Sequence, residues 1–360
     1  MLESLPQTIT VFAEQSGSHL QGIVVDKERE FLYCSFTTCL LKTDFAGNVL
    51  GSVKGLVGHL GCIAHDPRDG RVYGSLEFKH DAIGAPILKR IGYTEQVQDG
   101  FYVVRFDVDK IDRLDMDAEK DGIMEAVFLN EVYADYTAPG HRYGCSGIDG
   151  ITFAPPFGED GPANRLYVAY GIYEDSTRTD NDHQVLLQYD VSQWDRYAAP
   201  LDQKNMHRCG PGKPDGKYFV YTGNTRYGIQ NLEYDPITKS MIAAVYKGKK
   251  PQFPNYPMFF IDCSQKAKKE ILRGVGEQGM MVPLTDLGSG ICEGEVCGSQ
   301  FPDGSTGIAN LENGYFYISQ PLRDERGYGG VIRLYRLDPK KMTFMEVSAI
   351  PPPRKNTLSA

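Results

Sequence analysis

Apolar and polar residues alternate with period two along most of this 360-residue chain, and the alternation recurs in a fixed order. Five segments each start with a Gly-containing apolar strand, turn, continue into a second strand often carrying Tyr, cross a variable loop and end in an apolar strand closed by Asp. The first runs HLQGIVVDKEREFLYCSF and closes with LLKTD at Asp44; the second runs HLGCIAHDPRDGRVYGSLEF and closes with FYVVRFD at Asp107. The third joins GIDGITFAP and NRLYVAYGIY to VLLQYD at Asp190, the fourth joins GIQNLEYDPITKSMIAAVY to MFFID at Asp262, and the fifth joins GIANLENGYFYIS to VIRLYRLD at Asp338. Asp-Pro and Asn-Gly turn signals, with little amphipathic helical spacing, predict antiparallel β-structure throughout. Stretches such as GIMEAVFL and KYFVYTG supply a fourth strand after the repeated three.

Five four-stranded units of roughly 60 to 80 residues predict an all-β fold, a single β-propeller domain in which radial repetition leaves short, protected edges. The blades fall near residues 19–58, 59–140, 141–226, 227–304 and 305–350. A six-bladed ring is the alternative, since segments 108–144 and 264–304 are long enough to hold a degenerate blade. A β-sandwich would not repeat the same order five times, and no Pro/Ser/Gly-rich linker divides the chain.

The strand starts Gln21-Gly22-Ile23, Asp149-Gly150-Ile151 and Gln230-Asn231-Leu232 resemble the inner-strand starts of small propeller enzymes. These include five-bladed arabinanase-like glycosidases and six-bladed lactonase and strictosidine-synthase-like propellers. The resemblance is one of architecture and carries over no catalytic residue. The arabinanase-like pattern implies carboxylates on several inner strands, whereas this sequence offers one, Asp149.

Composition narrows the function classes. With 41% hydrophobic and 24% charged residues the chain can bury a sizeable core, and its net charge of −9 argues against nucleic acid or an anionic membrane as partner. Its first residues show no basic region leading into an apolar one, and no apolar run reaches the roughly 20 residues of a membrane span, which predicts a cytoplasmic protein. The eight cysteines therefore read as reduced, mostly buried small hydrophobes. The closest approach to a metal knuckle, Cys292-Glu-Gly-Glu-Val-Cys297, lacks the second pair that a structural zinc site needs. Oligomeric state leaves no mark in the sequence.

Propeller geometry converts these positions into a candidate site, because inner-strand starts and the loops between second and third strands converge at one end of the axis. Aligning the inner strands gives one ring of His19, His59, Gly147, Gly228 and Gly307, and a second of Gln21, Gly61, Asp149, Gln230 and Ala309. Polar side chains there are either water binders or chemistry. His19, His59 and Asp149 read as an acid–base cluster or as ligands of a zinc, manganese or calcium ion. The loops add Glu77, His80, His183, Arg178, Lys247 and Arg326, and the connectors add Tyr143 and Arg226. So many basic residues directed at one face predict an anionic ligand, and the 22 Tyr suit stacking on sugar rings.

Three readings follow. The first is a carbohydrate-active enzyme cleaving a glycosidic bond of an acidic oligosaccharide or sugar derivative, by hydrolysis or elimination. Its catalytic groups come from His59, Asp149, His19, Tyr143, His183 and Glu77, and its substrate contacts from Gln21, His80, Arg178, Arg226, Gln230, Lys247 and Arg326. The second is a metal-dependent lactonase-like hydrolase, and the third a non-catalytic propeller that binds a ligand or partner. A serine nucleophile is disfavoured because GCSG lacks the G-x-S-x-G elbow, and Cys145 would serve only if a histidine such as His141 lowered its pKa.

Overall fold

The computed structural model describes residues 5–13, 18–286 and 292–348. Among them, five sheets, antiparallel apart from two peripheral parallel pairings, form the five blades of a β-propeller. The inner strands, Leu20–Asp26, His59–Asp66, Cys145–Ala154, Arg226–Asp235 and Ile308–Asn310, stand side by side around the axis, each touching the next and the fifth touching the first. Second and third strands follow outward by hairpins in every blade.

The recurrent aspartates hold the turns. Asp26, Asp66 and Asp235 accept hydrogen bonds from the backbone N–H groups of Arg29, Arg68 and Thr238 after the inner strands. Asp44, Asp190, Asp262 and Asp338 do the same for Ala46, Ser192, Ser264 and Lys340 after the third strands. A carboxylate that captures an N–H two or three residues on substitutes for a backbone partner and fixes the bend.

Outer strands are less regular than the sequence predicts. Blades 1 to 3 have Val49–Lys54, Met124–Phe128 and Gly216–Tyr221, so GIMEAVFL and KYFVYTG supply two of them. Among the described residues blade 4 has three strands, and its outer edge is met by isolated bridges, Met258 to Ser299 and Ile261 to Leu284. Blade 5 is completed from the opposite end of the chain: Thr8–Ala13 pairs antiparallel with Gly327–Asp338, beside Thr343–Glu346. Among the described residues the two long segments form no sixth blade. Residues 108–144 carry the helix Asn130–Thr137, and the Lys268–Ile271/Gln278–Met281 hairpin extends blade 3 through Tyr218 and Met280.

Both faces of each blade are apolar, and the core is divided accordingly into five interblade layers. Tyr33 and Val53 of blade 1 meet Leu76 and Val104 of blade 2; Phe101 of blade 2 meets Val168 of blade 3; Tyr167 of blade 3 meets Phe259 of blade 4. Ile242 of blade 4 meets Phe316 of blade 5, and Val11 with Ile332 closes the ring against Leu32 and Leu41. Five cysteines lie buried outside any disulfide and Cys209 is exposed. Cys292 and Cys297 are instead joined by a disulfide, correcting the expectation of eight reduced thiols, because a tight hairpin pairs them directly with their Cα atoms 4.0 Å apart. No helix among the described residues is long and apolar enough to cross a membrane.

Closure makes the amino-terminal strand essential. Val11 is fully buried, so Val11→Asp places an unpaired charge in the layer between blades 5 and 1 and is expected to cost about 3 kcal/mol or more. Urea unfolding followed by circular dichroism measures the loss.

Candidate active site at the propeller axis

The side chains at the axis are aimed by irregularities in the inner strands. Register shifts occur between Leu20 and Gly22, Leu60 and Ile63, Ile148 and Ile151, and Ile229 and Asn231. A bulge turns the extra residue out of the regular alternation; here Gln21, Asp149 and Gln230 fall inside the shifts. The bulged backbone is bound across blades by small hydroxyls. Ser35 Oγ donates to Gly61 O at 2.7 Å and Ser75 Oγ to Asp149 O at 2.6 Å, each from one blade's second strand to the next blade's first.

Glu77 is the hub. It lies directly across the hairpin from His59, and Lys79, two residues further on, is drawn to the same carboxylate. Glu77 Oε1 lies 2.5 Å from Lys79 Nζ and 3.4 Å from His59 Nδ1, while Oε2 accepts the Ile148 N–H at 2.9 Å. Lys79 Nζ also donates to Ser146 O at 2.8 Å. Gly147, between Ser146 and Ile148, has φ +130°, and a Cβ there would collide with Glu77 Oε2. The GCSG stretch is therefore the backbone cradle of a carboxylate, not a nucleophile motif. Burial pushes the Cys145 thiol up to about 12, and His141 is engaged elsewhere, its Nδ1 2.6 Å from Tyr136 O.

Asp149 completes the cluster. Its Oδ1 lies 3.7 Å from the same His59 Nδ1, and its Oδ2 accepts from Gln230 Nε2 at 3.1 Å. Gly61 leaves room for it, since a Cβ on Gly61 would stand 3.0 Å from Oδ1. Gln21 donates to Thr37 Oγ1 at 2.9 Å and meets His19 at 3.5 Å. Tyr246, edge-on to Tyr227 with ring centroids 6.1 Å apart, lies within electrostatic reach of Asp149.

Two carboxylates in one buried site take different protonation states. Burial pushes the Asp149 carboxyl up to about 7; His59 opposes the rise, and the charge of Glu77 adds to it. Burial also raises Glu77, but Lys79 and His59 more than offset it and hold this carboxyl below the usual range. Burial likewise opposes the Lys79 charge, which Glu77 restores and stabilises. Burial, with the charges of His59 and Arg90, lowers His19 to about 4. The site thus combines a carboxylic acid that can give up a proton near neutral pH with a fixed carboxylate beside the same imidazole.

Other predicted residues lie elsewhere. Tyr143 is buried in the core between blades 2 and 3, its hydroxyl donating to Glu277 at 3.1 Å. His183 is buried against Phe219 and Tyr221 beside a separate cavity. Most of the loop lysines and arginines carry counter-ions, Arg178 with Asp180, Arg226 and Lys249 with Glu174, and Arg326 with Asp324, and His80 Nδ1 lies 3.0 Å from Asp99 Oδ1. Lys247 donates to Gln300 at 3.0 Å. These pairs replace the concentrated basic face expected from the sequence. His19, His59 and Asp149 do not close into a ligand shell either, because His19 is turned toward Ser18 and Gln21. The only group of three His, Cys, Asp or Glu ligand atoms within 4.8 Å of one another among the described residues is Asp286, Cys292 and Cys297. Lys79 was missed as a site residue; its spacing of two from Glu77 on a strand is the signal that would have found it.

The chain matches no protein-family model and no curated protein. Among solved structures it is similar to a GH43 β-1,3-galactosidase with galactodeoxynojirimycin, at 11% identity and TM-score 0.43, covering 92% of this chain and 96% of that one. It is also similar to the PQQ domain of a Coprinopsis cinerea pyranose dehydrogenase, at 11% identity and TM-score 0.41, covering 87% and 81%. A Kuenenia stuttgartiensis hydrazine synthase aligns at 13% identity and TM-score 0.35 over 89% of this chain, which spans 66% of that chain's length, just under two thirds.

Two outcomes test this electrostatic account. Lys79→Met strands the Glu77 charge in the core and is expected to cost about 3–5 kcal/mol in urea unfolding, with the Glu77→Gln/Lys79→Met double variant losing less. Between the ordinary carboxylate value of 3.8 and about 7, the folded protein keeps an Asp149 proton that the unfolded chain has released. This group's stabilising contribution therefore falls as pH rises through that window. The unfolding midpoint of Asp149→Asn relative to wild type should rise from pH 4 to 7, and an unchanging difference would refute the assignment.

Proposed function

We propose that the protein is a propeller enzyme that cleaves a glycosidic bond in an oligosaccharide or sugar derivative by acid–base chemistry at the axis. The observation that carries this reading is the placement of Asp149, raised to about 7, and the ionised Glu77 on the same nitrogen of His59. Asp149 is the proton donor to the leaving oxygen. His59, oriented at Nδ1 by Glu77, is the base that activates water. Glu77, with its oxygens committed to Lys79, His59 and Ile148 N–H, is a positioning residue. Gln21, Gln230, Tyr227 and Tyr246 supply hydrogen bonds and a ring face for the sugar.

Hydrolysis is favoured over elimination. Abstraction of a proton beside a sugar carboxylate needs an uncommitted cation to neutralise that carboxylate, and Arg226 and Lys249 are both engaged by Glu174. A mainly neutral ligand is consistent with this pairing.

The test is a panel of neutral and uronate-containing oligosaccharides, followed by reducing-end release and ultraviolet absorbance. Reducing ends without an absorbing product are expected, and kcat/KM should fall on the alkaline side with an apparent pKa near 7, where Asp149 loses its proton. Asp149→Asn should lower kcat by about 100-fold or more while retaining sugar binding. Binding without turnover in the wild type across the panel would identify a recognition module instead.

A further inference from the structure

Far from the axial cluster in composition and purpose, a second cavity of about 440 Å³ lies between the hairpin that extends blade 3 and the Cys292–Cys297 hairpin. His183, Arg273, Asp286, Cys292 and Cys297 line it. The donor atoms gathered at its edge point to a ligand there. The Asp286 carboxylate and the two sulfurs lie within 4.8 Å of one another. His183, only 2% exposed, has a hydrogen-bond partner at neither ring nitrogen. Burial and the neighbouring Arg273 hold this imidazole neutral near pH 7, the state in which a ring nitrogen is a donor atom.

Two thiolates and a carboxylate are a donor set suited to zinc, and three protein ligands with an open position distinguish a reactive or regulated site from a closed structural one. The disulfide occupies both sulfurs in the oxidised protein. We propose that reduction of Cys292–Cys297 opens a site for a zinc-class divalent cation, held by both thiolates and Asp286, with its remaining position facing the cavity. His183 lines the same cavity, with its ring nitrogens closed to solvent in the oxidised protein. With a trialkylphosphine as reductant, the S–S bond breaks and phosphorus is oxidised to the phosphine oxide with the oxygen of one water. The two protons of that water go to the sulfurs. The cation then displaces both thiol protons into solvent.

The test is titration of the full chain with Co²⁺, before and after phosphine reduction, reading thiolate-to-cobalt charge-transfer and visible d–d absorption. One equivalent of cobalt should develop both bands in the reduced protein alone, and added Zn²⁺ should bleach them. Cys292→Ser/Cys297→Ser should abolish the bands, and Asp286→Asn should weaken binding by about tenfold or more. Cys209→Ser, which leaves the hairpin intact, should retain them. No bands in the reduced wild type, or bands that survive the double serine variant or vanish with Cys209→Ser, would overturn the proposal.

Discussion

A β-sheet that is apolar on both faces is not stable until another layer covers each face, and that constraint governs this molecule. Each blade is such a sheet, so each provides half of two interblade layers, and the arrangement is satisfied only when the ring closes. Thr8–Ala13 performs the closure by pairing with a strand more than 300 residues away. Because closure joins distant parts of the chain, it costs loop entropy but leaves the fifth blade no bare edge on that side.

The same ring brings the inner-strand starts together and makes the axis a place where polar groups meet under partial exclusion of water. Glu77 shows how the fold uses this. One carboxylate joins the two strands of a hairpin through His59, neutralises a buried lysine, and reaches into the next blade at Ile148 N–H. Lys79 completes the loop at Ser146 O. Such a pair contributes little net stability compared with apolar replacements, but either partner alone is costly, so it fixes the registry of blades 2 and 3. The difference between Asp149 and Glu77 follows from the same geometry: Glu77 has a cation in contact, and Asp149 has an amide and a more distant imidazole.

The periphery obeys different physics. Loop residues that look functional in a one-dimensional list are largely paired with one another, some locally, as Arg178 with Asp180 and Arg326 with Asp324, and some across loops, as Arg226 and Lys249 with Glu174. The Cys292–Cys297 hairpin is another local solution, and it borders a cavity that none of the repeat units requires.

The sequence by itself determined the fold class, the five repeats, the turn aspartates and the ring positions of His19, Gln21, His59, Asp149 and Gln230. These are legible because side-chain alternation and turn chemistry are local, and repetition amplifies them. Tertiary structure alone decided that blade 5 is closed by the amino-terminal strand, that the outer edge of blade 4 is met by isolated bridges, and that Tyr143 and His183 leave the axis. It also decided that Lys79 belongs to the site and that Cys292 meets Cys297. Those outcomes depend on which surfaces remain to be covered and which charges come into contact once the ring is shut, and both are set by distances between residues remote in sequence.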